Sequence, residues 1–372
     1  MELRYGTNPH QRARVLTTEP LPLRVLSGEP SYVNLLDALN AWSLAQELQT
    51  VSGEVAATSF KHVSPAGAAL AGPLDPLMSS TWCVPEPDLV TTAYVRARDA
   101  DPKSSFGDMI AVSAPVTRGL ADFLSTVVSD GIIAPSYDEG TLGMLAAKKR
   151  GTFLALQVDP SWQPRGSERR TVFGIELEQD RDCQPIVPAS WTLPGGGLLA
   201  AAQERDALVA SVTLRHTQSN SVLFAKEGMC LGVGAGQQSR IDCTRLAGSK
   251  TALWCMRRHP QLMGPAQAGR HDRDALARQI RAAEDCLVPS WARDDPQDGP
   301  AADVRAWLAK SSGVTAASDG FIPFVDNVEE MARYGVTTLV EPGGSMRTSE
   351  VAAACVAHGI TLVHTNQRLF HH

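Results

Sequence analysis

The chain of 372 residues is 43% hydrophobic and 20% charged, with a formal net charge of -6 and a pI near 5.9. That is enough apolar material for a full core spread over two or three lobes, and the acidic balance argues against a general nucleic-acid binder while permitting a local basic pocket for one phosphate. No apolar run approaches the roughly 18–20 residues of a membrane span, the opening six residues have no signal-peptide core, and the seven cysteines are scattered, odd in number and without a C-x-x-C pair. A cytoplasmic globular protein with reduced thiols is expected, with neither membrane nor nucleic acid as a partner.

Residues 4–11 are polar and turn-rich and read as a loop or short extended arm, in which Arg4 is either a surface charge or an anion ligand acting through its planar fork of donors. Residues 35–48 place Leu36, Leu39, Trp42, Leu44, Ala45 and Leu48 at helical spacing. The β-prone run 55–58 then leads through Ser59 and Phe60 to Lys61 and His62, and the small residues that follow predict a strand ending there and a helix beginning, with Ser64 as its cap and Pro65 in its first turn. A lysine beside a histidine supplies a fixed cation and a base that titrates near neutral pH; the plain alternative is a surface lysine next to a structural histidine. Four prolines within residues 72–90 predict a loop excursion outside the core. Next come a tight polar turn at 104–108, in which Gly107 serves backbone freedom or close approach of a ligand, a strand at 109–112, a helix at 117–126, the run 127–135, a helix at 139–150 and a strand at 153–158. Strand and helix alternate, the pattern of an α/β layered lobe.

Residues 159–170 and 178–190 are polar and contain proline, and the second stretch is the candidate bridge between a first lobe, 1–190, and a second, 191–372. A long helix over 198–215 opens the second half. Ser129-Asp130-Gly131-Ile132-Ile133-Ala134-Pro135 is echoed by Ser318-Asp319-Gly320-Phe321-Ile322-Pro323-Phe324, which suggests an internal repeat with a ligand held between similar lobes. The polar cluster Thr217-Gln218-Ser219-Asn220-Ser221 precedes Gly232-Val233-Gly234-Ala235-Gly236, whose third glycine comes one residue too soon for a dinucleotide fingerprint and which lacks the acidic ribose partner about twenty positions on. The glycines instead allow a close turn that presents Gln237, Gln238, Ser239 and Arg240 at the head of a helix beginning near Cys243. Residues 269–310 are highly charged and read as solvated helices and a surface insertion without chemistry. Alternation returns from 321 to 363, and the chain closes on His364-Thr365-Asn366-Gln367-Arg368-Leu369-Phe370-His371-His372, whose final histidine pair is weak support for a metal.

Seven of these segments, SFKHVSPAGAA, SSFGD, VSDGIIAP, TQSNS, GAGQQSRI, SDGFIPF and HTNQRLFHH, taken in this order, resemble the transformylase part of the bifunctional purine enzymes that carry AICAR transformylase and IMP cyclohydrolase activities. The resemblance covers nearly the whole chain and is nearer the animal-like form. It implies an α/β fold of two tandem cytidine-deaminase-like three-layer α/β/α lobes. The cyclohydrolase domain that precedes Arg4 in relatives is not in this sequence, so ring closure is expected on another chain, a separate IMP cyclohydrolase.

The implied reaction moves the formyl group of 10-formyltetrahydrofolate to the 5-amino group of AICAR, giving FAICAR and tetrahydrofolate. That amine is a poor nucleophile, because its lone pair is delocalised, so a base must take its proton and a cation must steady the charge that develops. The resemblance assigns these roles to His62, neutral so as to accept a proton, and Lys61. It implies nucleotide contacts from Arg4, Tyr5, His62, Gly107, Asp130, Asn220, Arg240 and Arg368, and folate contacts from Ile241, Phe321, Pro323, Phe324, Asp326, Asn327, Ser345 and Met346. Lys103 stands where relatives have methionine, which would put a cation near the folate tail. Homodimers with shared sites and a potassium ion near TQSNS and SDG are further implications. Two rivals are a zinc deaminase, whose H-x-E and P-C-x-x-C strings do not occur, and a catalytically silent nucleotide- or folate-binding subunit.

Overall fold

The computed structural model describes residues 1–16, 21–84, 87–164, 166–263, 271–287 and 306–372. Two short strands, β1 (Glu2–Leu3) and β2 (Ala13–Arg14), pair with each other, and β3 (Leu23–Ser27) leads to helix α1 (Tyr32–Ser52). Helix α1 begins where Ser31 and Asn34 exchange capping hydrogen bonds and stops at Gly53, whose φ of 70° is left-handed. The hairpin β4 (Ala56–Lys61) and β5 (Ser64–Leu70) follows, then α2 (Pro76–Trp82), α3 (Leu89–Ala100), β6 (Asp108–Val112), α4 (Arg118–Thr126), β7 (Ser129–Ala134), α5 (Thr141–Ala147) and β8 (Leu154–Val158). A separate hairpin, β9 (Ser167–Val172) and β10 (Ile175–Asp180), precedes α6 (Ala201–Arg215), β11 (Val222–Lys226), β12 (Met229–Gly234), α7 (Arg240–Arg257), α8 (Arg273–Leu287) and β13 (Val314–Ser318). The chain ends with α9 (Asp326–Ala332), β14 (Val336–Glu341), α10 (Thr348–Ala357) and β15 (Thr361–His364).

Eleven strands form one mixed sheet in the order β15-β14-β13-β11-β12-β5-β4-β6-β7-β8-β3. The connectivity of its halves repeats. In each, a helix (α1, α6) leads into a hairpin (β4-β5, β11-β12), the next strand (β6, β13) pairs antiparallel with the first hairpin strand, and two more (β7-β8, β14-β15) add in parallel. The halves meet where Met229 of β12 lies opposite Ala69 of β5. The seven-residue echo in the sequence does not report this repeat. Ser129 opens β7, the fourth strand of its half, whereas Ser318 closes β13, the third of its own.

Helices cover both faces, so the fold is a three-layer α/β/α arrangement. Thr58 of β4 donates to the Ala41 carbonyl of α1, while its neighbour Ser59 reaches Ser105 and Asp108 on the other face, as the two-residue period of a strand requires. On that second face β5 lies directly against α3, where a Cβ at Gly67 would fall 2.1 Å from the Ala97 carbonyl oxygen. Gly232 and Gly234 of β12 stand in the same relation to α7. This contact explains why residues 64–70 form a strand and not the expected helix. Their small side chains admit a packed helix, and a left-handed turn at His62 and Val63, with φ of 55° and 59°, folds the chain back on β4.

One further expectation changes, and one helix went unread. Within 72–90, of which residues 85–86 lie outside the described residues, the chain enters the core, since Asp75 caps α2 through the Met78 amide, a proline is accepted in the first turn, and Leu77, Met78 and Trp82 are buried. Helix α3, buried on all sides, left no apolar stripe to read, because Thr91, Arg96, Arg98 and Asp99 lie inside with the apolar residues. The charged stretch 269–310 contains α8, and its residues 269–270 and 288–305 lie outside the described residues. Among the described residues no helix is long and apolar enough to cross a membrane.

Candidate active site

The strand register brings the expected site residues to a single edge of the sheet. Strand β4 ends at Lys61 beside Met109, where β6, β7 and β8 begin. On the far side of the seam β12, β13, β14 and β15 end at the same edge, and β11 begins there. Lys61, His62, Gly107 and Asp130 therefore lie along one part of this edge, and Asn220, Arg240, Asp319, Ser345 and Arg368 along the rest. Arg4 and Tyr5 are tied to the start of α1, through Arg4 N to the Pro30 carbonyl (3.0 Å) and Tyr32 N to the Tyr5 carbonyl (2.9 Å).

In the first group, the exposed His62 stands on the left-handed turn, and the amide of Val63 donates to the Asp37 carboxylate at 2.6 Å. The Lys61 ammonium donates to the Phe106 carbonyl. Gly107, at φ +74°, leaves space that a Cβ would enter, 3.8 Å from Asp130 Oδ1 and 3.9 Å from Lys61 Nζ. Asp130 itself is held by Lys149, Nζ to Oδ1 2.5 Å. Next to it Lys148 donates to Ser129 Oγ at 2.6 Å, and burial pushes its ammonium down to about 7. Sequence reasoning missed Asp37, Lys148 and Lys149. The lysines were legible as a basic pair closing a predicted helix, but nothing in the sequence aimed them at Asp130.

The second group is more self-contained. Arg240 donates to Asp319, to Ser318 Oγ (2.9 Å), to the Ser221 carbonyl (3.3 Å) and to Asn220 Oδ1 (2.8 Å). The Asn220 amide in turn donates to the carbonyls of Gln237 and Gln238, each at 3.1 Å. Both side chains, expected to contact the nucleotide, also hold partners within the chain, and Asn220 braces the loop at Gln237 and Gln238. Arg368 is exposed and lies over the Phe370 ring at 4.6 Å. Of the expected folate set, Phe321, Phe324 and Met346 are exposed apolar residues beside the half-buried Ile241, Pro323 and Ser345, and the exposed Asp326 accepts from Asn327. Asn327 is buried and accepts from Thr244. Lys103 pairs with Glu284 of α8 at 2.8 Å, so its charge is partnered within the chain.

Glu341, at the end of β14, was not anticipated. Its Oε2 accepts the Ile322 amide at 2.5 Å, and Oε1 lies 3.3 Å from His364 Nε2, both of these last atoms being buried without a hydrogen bond. Burial pushes the carboxyl up to about 7. A carboxyl that binds its proton more tightly folded than unfolded makes the fold lose stability as pH rises from its unfolded value, about 4.3, through about 7. Glu341→Gln removes that loss. The melting temperature of the variant relative to wild type should rise between about pH 5 and pH 8; a difference that stays constant across this range would show that Glu341 does not titrate there.

Among the described residues no hydrogen bond, ion pair or ring contact joins the first group to the second. β13 and β7 are six positions apart in the strand order, about 29 Å at ~4.8 Å per strand. A cavity of about 1160 Å³ lies elsewhere, at the opposite edge among Pro22, Pro135, Gln157 and Trp162.

The sequence profile of the AICARFT/IMPCHase bienzyme family matches residues 1–250. The bifunctional purine biosynthesis protein PurH of Magnetococcus marinus is 31% identical over 379 residues, covering 100% of this chain and 59% of that protein. Proteins of the same name from Cereibacter sphaeroides and Parasynechococcus marenigrum are each 30% identical over 376 residues, with the same coverage. The chain spans 59% of the length of these curated relatives.

Proposed function

Because the chain belongs to the AICARFT/IMPCHase bienzyme family, we propose that it performs the formyl transfer of purine biosynthesis, from 10-formyltetrahydrofolate to the 5-amino group of AICAR. The observation that carries this reading is the Lys61-His62 turn, which offers an exposed imidazole next to an ammonium lodged between Phe106 and Gly107. In the proposed reaction the amine nitrogen attacks the formyl carbon while His62 takes its proton, and Lys61 stabilises the oxyanion. The bond from the formyl carbon to N10 of the folate then breaks, and the proton passes to that departing nitrogen. Asp130, with Gly107 leaving room before it, would read a ribose hydroxyl or the carboxamide. The exposed Phe321, Phe324 and Met346 would give the pterin an apolar shelf, with Asp326 facing its donors. The deciding experiment supplies AICAR and 10-formyltetrahydrofolate together and follows tetrahydrofolate release by absorbance. Release that requires both substrates is expected, and none with a folded chain would refute the reading.

The same reading includes two cytidine-deaminase-like lobes, 1–190 and 191–372, supported by the repeated strand pairing; superposition of the halves in a crystal structure tests it. It also includes a homodimer. Asp130 and Asp319 stand at strand ends six positions apart, about 29 Å at ~4.8 Å per strand, and a second copy covering this edge would complete each site. The β9-β10 hairpin, which among the described residues pairs with no other strand and exposes Phe173, Ile175 and Leu177, is a natural place for that copy to cover. Sedimentation should give twice the chain mass, and a monomer that still transfers the formyl group would exclude a shared site. A potassium ion suits the region of Ser221, whose buried Oγ has no hydrogen-bond partner, close to Asp319; potassium-dependent melting would support it and indifference to potassium would not. Cytoplasmic location, testable by fractionation, and a separate IMP cyclohydrolase, testable by its addition to the assay, complete the proposal.

A further inference from the structure

The turn that carries His62 is held from beneath by one carboxylate, and the chain contains its own control for that arrangement. Asp37 is the sixth residue of α1, and Asp206 is the sixth residue of α6. Asp37 accepts the Val63 amide of the β4-β5 turn at 2.6 Å, and the neighbouring His62 amide adds a further stabilising pull on the same carboxylate. Asp206 accepts the amides of the β11-β12 turn, from Glu227 at 3.0 Å and from Gly228 at 2.5 Å. Both turns are left-handed at two successive residues, with φ of 55° and 59° at His62 and Val63 and of 54° and 74° at Glu227 and Gly228.

The difference between the turns lies in their residues. In the second half glycine occupies one left-handed position and adopts it freely. In the first half both residues carry a Cβ, and Val63 is β-branched, so the conformation costs about 1–2 kcal/mol per residue. Such strain persists only where the surroundings enforce it. The Asp37 carboxylate is the group hydrogen-bonded to this turn, and it feels the charge of His62 and, with opposite sign, of Asp130.

We infer that Asp37 is a positioning residue for formyl transfer: its carboxylate pins the strained His62-Val63 turn and so sets where the imidazole stands. The inference rests on the function proposed above. Nothing in it requires Asp37 to touch a substrate. Burial raises its carboxyl above the ordinary range, consistent with a group lying under the turn and away from solvent.

The test compares Asp37→Asn, Asp37→Ser and Asp206→Asn in the full chain, with melting temperature, kcat and the KM for each substrate as readouts. Asparagine accepts from one amide but turns a donor toward the other, so the turn relaxes and the ring shifts. The Asp37 variants should lose about 10- to 100-fold in kcat, the scale of a 1 Å misplacement, with both KM values within about twofold of wild type. Asp206→Asn should lower the melting temperature by a comparable few degrees while keeping kcat within about twofold. Equal loss of kcat in the two halves, or a loss carried by KM alone, would overturn the inference. Failure of wild type to release tetrahydrofolate would instead refute the function on which it rests.

Discussion

Replacing His62 with alanine should slow tetrahydrofolate release by about 100- to 10,000-fold, the range of a lost general base. The loss should fall on kcat. The ring is exposed, so its removal opens no cavity, and exposed substitutions usually stay within about 0.5 kcal/mol in stability. Circular dichroism and melting temperature of His62→Ala should therefore match wild type, which separates a chemical defect from a folding one. Lys61→Ala should be slowed as well, because its ammonium, held at the Phe106 carbonyl next to the turn, is the cation the proposed reaction uses. Full formyl transfer by His62→Ala would remove the imidazole from the mechanism and favour a nucleotide- or folate-binding subunit without chemistry of its own.

The largest loss of stability is expected at Asp99, in the helix the sequence concealed. Its carboxylate is fully buried and accepts from Trp82 Nε1 (2.9 Å), Arg257 Nη2 (2.9 Å) and Arg258 Nη2 (2.7 Å), so one group ties α2, α3 and α7 together. Asp99→Ala leaves Arg257, itself buried, without its countercharge, and breaking a buried pair from one side costs about 3–5 kcal/mol. Urea unfolding of the variant against wild type measures this, and a loss within about 0.5 kcal/mol, the scale of a surface change, would show that the cluster is not structural. Burial pushes the Asp99 carboxyl up, but Arg257 and Arg258 outweigh it and hold the group below the usual range. Its contribution is thus present above the unfolded value of about 3.9 and is lost as pH falls through the lower folded value, so the gap between wild type and variant should narrow in acid.

Elements with a clean local signal were readable from the sequence. The stripe from Leu35 to Leu48 became α1, Thr117 capped α4, and residues 109–112 and 153–158 fell on β6 and β8. Segments whose conformation answers to a distant partner were not. Residues 64–70 are helix-compatible by composition, yet Gly67 is extended because α3 presses on it. Helix α3 hides its period because Arg98 and Asp99 find their charges across the core, and the β9-β10 hairpin shows no alternation because all but one of its strand residues face outward.

What the sequence settled by itself is the chemical inventory: Lys61 beside His62, the Asp130 and Asp319 turns, the arginines and the closing HTNQRLFHH, in an order that marks the family. What only the tertiary structure decided is which partners within the chain each of these side chains finds. Arg240 and Asn220 are engaged by Asp319 and by backbone carbonyls, while Asp37, which carried no signal in the sequence, lies under the turn that holds His62. Side-chain identity is local, but desolvation and hydrogen-bond satisfaction depend on neighbours that the fold brings from far along the chain.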